Sequence, residues 1–264
     1  MHPMVNIALR ASRDAADSLA HHVGRLDRLR IINEDPNHFL TSADQESEQT
    51  LIYHIRKTYP DHIIDSRVSG LHEGDSSSPI WLLDPLLSNI NFATGYTRFG
   101  VAIAIRIKDR ITHAVISSPL QNDEFIASRG QGAQLNSRRI RVTDKSRTSD
   151  LIGLDASGQD SKVYFGLQEA LFRGGASPRV GGSSALDVVD TACGRLLGGW
   201  CRRKPQHSLA AANLILLEAG GLLGTETGNP DLSTGQEQLF GSIKIFRQLL
   251  KYRSRLTDMA PGQQ

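Results

Sequence analysis

Two β-rich runs, Phe99–Ile107 and Ile111–Ser117, are separated only by Lys108-Asp109-Arg110. β-Branched and small apolar residues fill both runs, and a polar linker with Asp at its centre is turn chemistry. The pair therefore reads as an antiparallel hairpin, and a hairpin needs further strands and a covering layer before it is stable. Glu124–Ser128 supplies a third strand, followed by the Gly130-Gln131-Gly132 turn. Upstream helices supply the cover. Between Met4 and Leu26, residues Val5, Ile7, Ala8, Ala11, Ala15, Leu19 and Val23 recur at helical spacing. Thr41 or Ser42 caps a second helix that carries Glu46, Leu51, Ile52 and Ile55 and ends before Pro60. Ile63–Val68 reads as a strand and Gly70–Pro79 as a polar loop. Ile80-Trp81-Leu82-Leu83 reads as a short buried strand that delivers Asp84 at its end.

The second half has a more alternating α/β character. Leu151–Leu154 is expected as a strand and Val163–Arg173 as a helix. Ser183 or Ser184 caps a helix running to Cys193 and stopped by Gly194. Leu209–Ala219 is an Ala/Leu-rich helix ended by Gly220-Gly221, and Phe240–Arg255 is expected as a last helix with a basic face. The expectation is one domain over residues 1–264 with two subdomains. The first, about 1–145, is α+β and the second, 146–258, is α/β; the seam falls near Arg138–Arg147 and residues 259–264 form a frayed tail.

Composition narrows the function classes. A chain of 264 residues can bury a sizeable core without disulfide staples. Its two cysteines, Cys193 and Cys201, lack metal-ligand spacing and fit a reducing compartment. No apolar run approaches the roughly 18 residues of a membrane span, and no secretion signal opens the chain, so a cytoplasmic protein is expected. Thirty Lys and Arg against 28 Asp and Glu give a net charge of +2, with 23 of the basic residues Arg. That balance argues against strong autonomous RNA binding. Three basic clusters stand out: Arg138, Arg139, Arg141, Lys145 and Arg147; Arg195 with Arg202-Arg203-Lys204; and Lys244, Arg247, Lys251, Arg253 and Arg255. None is interleaved with aromatics, so a protein partner is expected first and RNA contact second.

Several motifs then point one way. Trp81-Leu82-Leu83-Asp84-Pro85-Leu86 followed by Asn91-Phe92 resembles the signature W-x-x-D-P-I/L-D-G-T-x-N-F of the inositol monophosphatase family. Thr41-Ser42-Ala43-Asp44 matches its T-x-x-D element, and Arg129-Gly130-Gln131-Gly132-Ala133 its R-G-x-G-A turn. Gly182-Ser183 with Ala185-Leu186 matches G-S-x-A-L, and Glu218-Ala219-Gly220-Gly221 matches E-A-G-G. The opening Met1-His2-Pro3-Met4 and Asn6-Ile7-Ala8 resemble the bacterial SuhB branch. The resemblance implies an α/β (α+β layered) fold, the αβαβα sandwich of this family, and commonly a homodimer. It also implies Mg²⁺-dependent phosphomonoester hydrolysis, in which hard cations held by carboxylates activate a water and clamp the phosphate.

The positions that do this in the family are altered here. The metal-binding Glu aligns with Arg67; the first Asp of D-P-x-D is kept as Asp84, and the carbonyl position between the two aspartates is Leu86. The second Asp aligns with Leu87, and the late Asp of a W-D pair aligns with Ser208, next to His207. Ser88-Asn89 replaces the phosphate-binding Gly-Thr, Ser183 keeps its place, and Cys201 replaces a substrate-contacting Glu. Reading Glu, Asp, Asp, Asp as Arg67, Asp84, Leu87, Ser208 moves the local formal charge from −4 to 0. No intact catalytic set and no metal cofactor are therefore expected, with Mg²⁺ only in an alternative reading as a reduced or altered phosphatase.

Arg67 either forms an ion pair with Asp84, a guanidinium in place of a metal, or points to solvent. A residual site would use Asp84, Leu86 and Asp65, or reach for His72, Glu73 and Asp75 in the loop. His207 reads as a cap-region or surface residue. Thr41 and Asp44 read as a helix N-terminal motif. Cys201 is structural despite basic neighbours that favour thiolate. By resemblance, the SuhB branch implies a second role, as a component of ribosomal-RNA transcription antitermination that binds NusA and RNA polymerase.

Overall fold

A computed structural model describes residues 2–35, 38–145, 149–155 and 161–258. The chain divides into two compact units, one of residues 1–139 with 205–215 and one of 140–204 with 216–264. The excursion of Pro205–Ile215 into the first unit has no counterpart in the sequence reading, and it carries His207 and Ser208 with it. The tail 259–264 and Arg147 lie outside the described residues.

In the first unit, α1 (Pro3–Val23) is followed by the short strands β1 (Ile31–Asn33) and β2 (Leu40–Thr41), then by α2 (Ser42–Thr58). His2 caps α1 through its ring nitrogen and Pro3 occupies the first turn, where its missing N–H costs nothing. Thr41 caps α2 in a reciprocal capping box with Asp44. Next come β3 (Ile63–Ser66), β4 (Gly70–His72), β5 (Ile80–Leu87) and the short helix α3 (Asn89–Ala93). The meander β6 (Gly100–Ile107), β7 (Arg110–Ser118), β8 (Asp123–Ser128), β9 (Gly132–Leu135) and β10 (Arg138–Ile140) completes it.

These strands form one eight-stranded sheet in the order β10-β9-β8-β7-β6-β5-β3-β4, with β3 parallel to β5 and the pairs β4–β3, β5–β6, β6–β7, β7–β8 and β8–β9 antiparallel. The β6–β7 hairpin turns through Lys108 and Asp109, both left-handed, the conformation that matches the twist of the flanking strands. One sheet face is covered by α1 and α2. Val5, Ala8, Leu19, Leu51 and Ile55 pack there with Trp81, Leu83, Val101, Ile103 and Val115.

Three expectations change in this unit. Gly70–His72, expected as loop, is a strand paired with β3. Asp84 lies in the middle of β5, because the strand continues to Leu87. It continues across a bulge: Asp84 pairs with Ala102 and Leu87 with Gly100, so one extra residue is accommodated at Pro85-Leu86. Proline has no N–H for the ladder, and the carbonyls around it turn to other partners. The helix α3 was not expected.

The second unit holds β11 (Leu151–Leu154), α4 (Ser161–Arg173), β12 (Ser177–Arg179), α5 (Ser184–Ala192) and β13 (Gly198–Arg202). It ends with β14 (Leu222–Gly224), β15 (Glu237–Gly241) and α7 (Ile243–Asp258). Helix α6 (Gln206–Glu218) belongs to both units by residue number. The five-stranded sheet runs β12-β11-β13-β15-β14, with parallel pairs around β11 and antiparallel pairs around β15. Its core gathers Ile152, Leu154, Leu167, Leu171, Trp200, Leu239, Phe246 and Leu249. Phe240, expected to open the last helix, is instead buried in β15, and the helix starts at Ile243. Strand burial on both sides made that run look like a helix from composition alone. Among the described residues, no helix is long and apolar enough to cross a membrane.

Candidate functional site

The site is built from the N-terminus of α2, the end of β3, the bulge of β5 and the start of α6. The capping box places Asp44 at the third position of α2 with its side chain buried. Asp44 Oδ2 accepts from Thr41 N at 2.9 Å and Thr41 Oγ1 at 2.7 Å. Oδ1 is thereby left to face Arg67 and Asn89. β5 brings Asp84, also buried, to the same place.

Arg67 joins them. Its Nε donates to Asp84 Oδ1 at 2.7 Å, and its Nη2 donates to Asp44 Oδ1 at 2.5 Å and to the Leu86 carbonyl at 3.2 Å. The bulge is what frees that carbonyl. The neighbouring Pro85 carbonyl accepts from Ser47 Oγ at 2.6 Å. Burial works to lower the Arg67 pKa, but the charges of Asp84 and Asp44 outweigh it and hold it above the ordinary arginine value. Of the two readings of Arg67, the solvent-facing one is overturned: the side chain is 21 % exposed, and its Nε and Nη2 are bonded to buried acceptors.

Ser208 and Asn89 complete the network. Ser208, in the first turn of α6, donates its hydroxyl to Asp84 Oδ2 at 2.6 Å. Asn89 Nδ2 donates to the Phe39 carbonyl at 2.6 Å and to Asp44 Oδ1 at 3.1 Å. Leu87 is buried. Ser88 precedes α3 in the left-handed region at φ 60°, and its side chain makes no cap bond. Asp65 and His207, placed elsewhere by the sequence reading, meet each other: His207 Nε2 lies 2.9 Å from Asp65 Oδ1. His207 is thus not a free surface residue, and the Asp65 carboxylate is engaged by its ring. At the end of β4, His72 Nε2 bonds Ser69 Oγ, and in the loop beyond the Asp75 carboxylate serves Ser77. Glu48, unnoticed in sequence, is a buried carboxylate that accepts from Ser66 and from Ser69 N and Oγ, closing the β3–β4 turn.

Ser183 and Cys201 lie in the second unit. Ser183 sits before α5 as expected, but its hydroxyl caps nothing and is buried without a hydrogen-bond partner. Cys201 is buried, and burial first, then the charge of nearby Asp155, pushes its thiol well above the usual range despite Lys204. Of the basic neighbours expected to favour thiolate, Lys204 is engaged: its Nζ pairs with Asp155 Oδ2 at 3.0 Å, and Ser184 Oγ donates to the same oxygen at 2.8 Å.

A magnesium ion needs several oxygen ligands carrying net negative charge. The donor set here does not fit one. Asp84's two oxygens accept from Arg67 and Ser208, the Leu86 carbonyl accepts from Arg67, and a fixed positive charge occupies the centre. Among the described residues, no three His, Cys, Asp or Glu side chains form a metal-holding group.

The fold and the Asp84-centred cluster define the class: the chain belongs to the inositol monophosphatase family, whose sequence profile matches residues 1–253. It is 38 % identical over 260 residues to the Nus factor SuhB of Haemophilus influenzae, covering 96 % of this chain and 97 % of that one. To the Nus factor SuhB of Escherichia coli (strain K12) it is 36 % identical over 266 residues, covering 98 % of each. Among solved structures, the extragenic suppressor protein suhB of Bartonella henselae superposes with a TM-score of 0.90 at 26 % identity, covering 96 % of this chain and 99 % of that one. An IMPase from Thermotoga maritima shares the fold at 23 % identity and a TM-score of 0.84, covering 97 % of this chain and 99 % of that one.

Proposed function

We propose that this chain is a non-catalytic SuhB-type protein that acts as a scaffold in ribosomal-RNA transcription antitermination, binding NusA and RNA polymerase, and that it works as a homodimer without magnesium. The observation that carries the non-catalytic part is the Arg67 guanidinium bonded to Asp44, Asp84 and the Leu86 carbonyl. A guanidinium offers charge and directed N–H donors but no vacant coordination position, so it cannot lower the pKa of a water as a metal does. It therefore keeps the local architecture closed while leaving nothing to activate a nucleophile. The relatives named Nus factor SuhB, matched over nearly their whole length, support the scaffold part.

Two measurements test the reading. Purified protein is assayed against inositol 1-phosphate with millimolar MgCl₂, and Mg²⁺ binding is followed by calorimetry; no turnover and no binding heat are expected. Magnesium-dependent turnover would establish the phosphatase reading instead. Purified NusA and RNA polymerase are then offered to the immobilised protein, and failure to retain either refutes the scaffold role. Sedimentation at increasing concentration reads the dimer.

A further inference from the structure

Helix α7 distributes its charge unevenly. Ile245, Phe246 and Leu249 bury one side in the second core. Lys244, Arg247, Lys251 and Arg255 fall on roughly a quarter of the remaining circumference, spaced about one turn apart. All four are exposed, and among the described residues none of them has an acidic partner. The sequence cluster that included them also contained Arg253, which behaves differently. Its Nε and Nη2 clamp Glu237 at 2.7 Å each, and Trp200 Nε1 donates to the same carboxylate at 2.6 Å.

The nearby acids are consumed inside the unit. Glu226 accepts the N–H groups of Gln236 and Glu237. Desolvation opposes ionisation there, but those donors and Arg253 hold its pKa below the usual carboxylate value. Arg247 and Lys251 thus line, without a direct acidic partner, a cleft of about 710 Å³ whose other walls are Glu226, Thr227, Leu250, Arg253 and Ser254. Glu226 and Arg253 are engaged by the contacts above, which leaves the cleft's balance of charge positive.

We propose that this stripe and its cleft dock an acidic helical segment of a protein partner. Cations one turn apart along a straight helix match Asp or Glu at i, i+3/i+4 and i+7 of a facing helix. Leu250, which also lines the cleft, adds an apolar contact beside the charges. The cleft is lined by no aromatic side chain on which a base could stack, and the chain's net charge of +2 supplies little long-range field for a polyanion. These features favour a protein over single-stranded RNA. The inference rests on the scaffold reading for its biological setting, while the surface itself is defined by its own residues.

The test uses the whole protein and fluorescence anisotropy. The probe is a labelled synthetic helix of about 20 residues with Glu at i, i+4 and i+7 and Leu between, beside a scrambled peptide of the same composition and a mixed-sequence RNA of similar length. The expected result is binding of the striped peptide that weakens by about tenfold or more in the R247E/K251E double variant and with added salt. It stays within about twofold of wild type in R138E/R139E, a basic pair on β10. Unfolding curves of both variants that overlay the wild type keep the comparison free of folding loss. The proposal is overturned if the striped peptide fails to bind, if R247E/K251E binds it as wild type does, or if the RNA binds more tightly and is lost in the same variant. Wild-type protein that binds the peptide but not NusA removes the scaffold reading alone; NusA retained equally by R247E/K251E removes this surface as the scaffold contact.

Discussion

Replacing Arg67 with Met keeps most of the side chain's volume and removes its charge. Two carboxylates then lose their cation, with Asp44 0 % exposed and Asp84 2 % exposed. Removing one partner of a buried ion pair costs roughly 3–5 kcal/mol, because the charge left behind is desolvated and uncompensated. Two details place this case near the lower end. Asp44 keeps Thr41 and Asn89 as donors and Asp84 keeps Ser208, and the arginine itself is partly in contact with water. The expected loss is about 3 kcal/mol, or roughly 6–12 °C in unfolding midpoint for a protein of this size. The assay is urea and thermal unfolding followed by circular dichroism, with and without millimolar MgCl₂. Wild type is expected to be insensitive to Mg²⁺. Adding D84N to R67M removes one of the two stranded charges and should recover about 1 kcal/mol or more. A cost under about 1 kcal/mol for R67M, or a wild type stabilised by Mg²⁺ as a metal-binding native state must be, refutes the view that the guanidinium holds this site.

Three further outcomes follow from single features. Ser88 holds a left-handed conformation that costs a non-glycine residue about 1–2 kcal/mol, so S88G should stabilise by about 0.5–1 kcal/mol after glycine's greater unfolded entropy is subtracted, read by urea unfolding. His62 Nδ1 accepts from Trp81 Nε1 at 2.9 Å, and burial lowers its pKa, as burial does for His113. Because the folded value lies below the unfolded one near 6.5, both rings contribute stability above about pH 6.5 that is lost as pH falls, and H62Q should flatten that slope between about pH 7 and 5. The buried Cys201 thiol, its ionisation opposed by burial and Asp155, should resist iodoacetamide in native protein while half-buried Cys193 reacts first; mass spectrometry showing Cys201 alkylated first would contradict its placement.

Local signals were read well where local physics decides. The capping box at Thr41 and Asp44, the hairpin through Lys108-Asp109 and the stop at Gly194 all depend on residues within a few positions of one another. Fully buried strands were read less well. β15 reads as part of a helix and β13 as no element at all, because a run buried on both faces loses the alternation that marks a strand. At the site, the pairing of Arg67 with Asp84 was one of two open readings. The share of Asp44 in it, the Ser208 hydroxyl on Asp84 and the His207–Asp65 contact were not foreseen. Those contacts join residues between 23 and 142 positions apart, beyond any periodic signal.

The sequence by itself determined which side chains could gather around Asp84: a cation at Arg67, a leucine at Leu87 and a hydroxyl at Ser208. Identity settles formal charge and donor count, and neither depends on conformation. Only the tertiary structure decided what those groups do to one another. The bulge at Pro85-Leu86 releases a carbonyl, the capping box leaves one oxygen of Asp44 open, and α6 brings Ser208 to Asp84. Each oxygen of Asp44 and Asp84 then finds a donor, because burial makes an unpaired carboxylate too costly to keep. The result is a closed guanidinium–carboxylate cluster in the first unit.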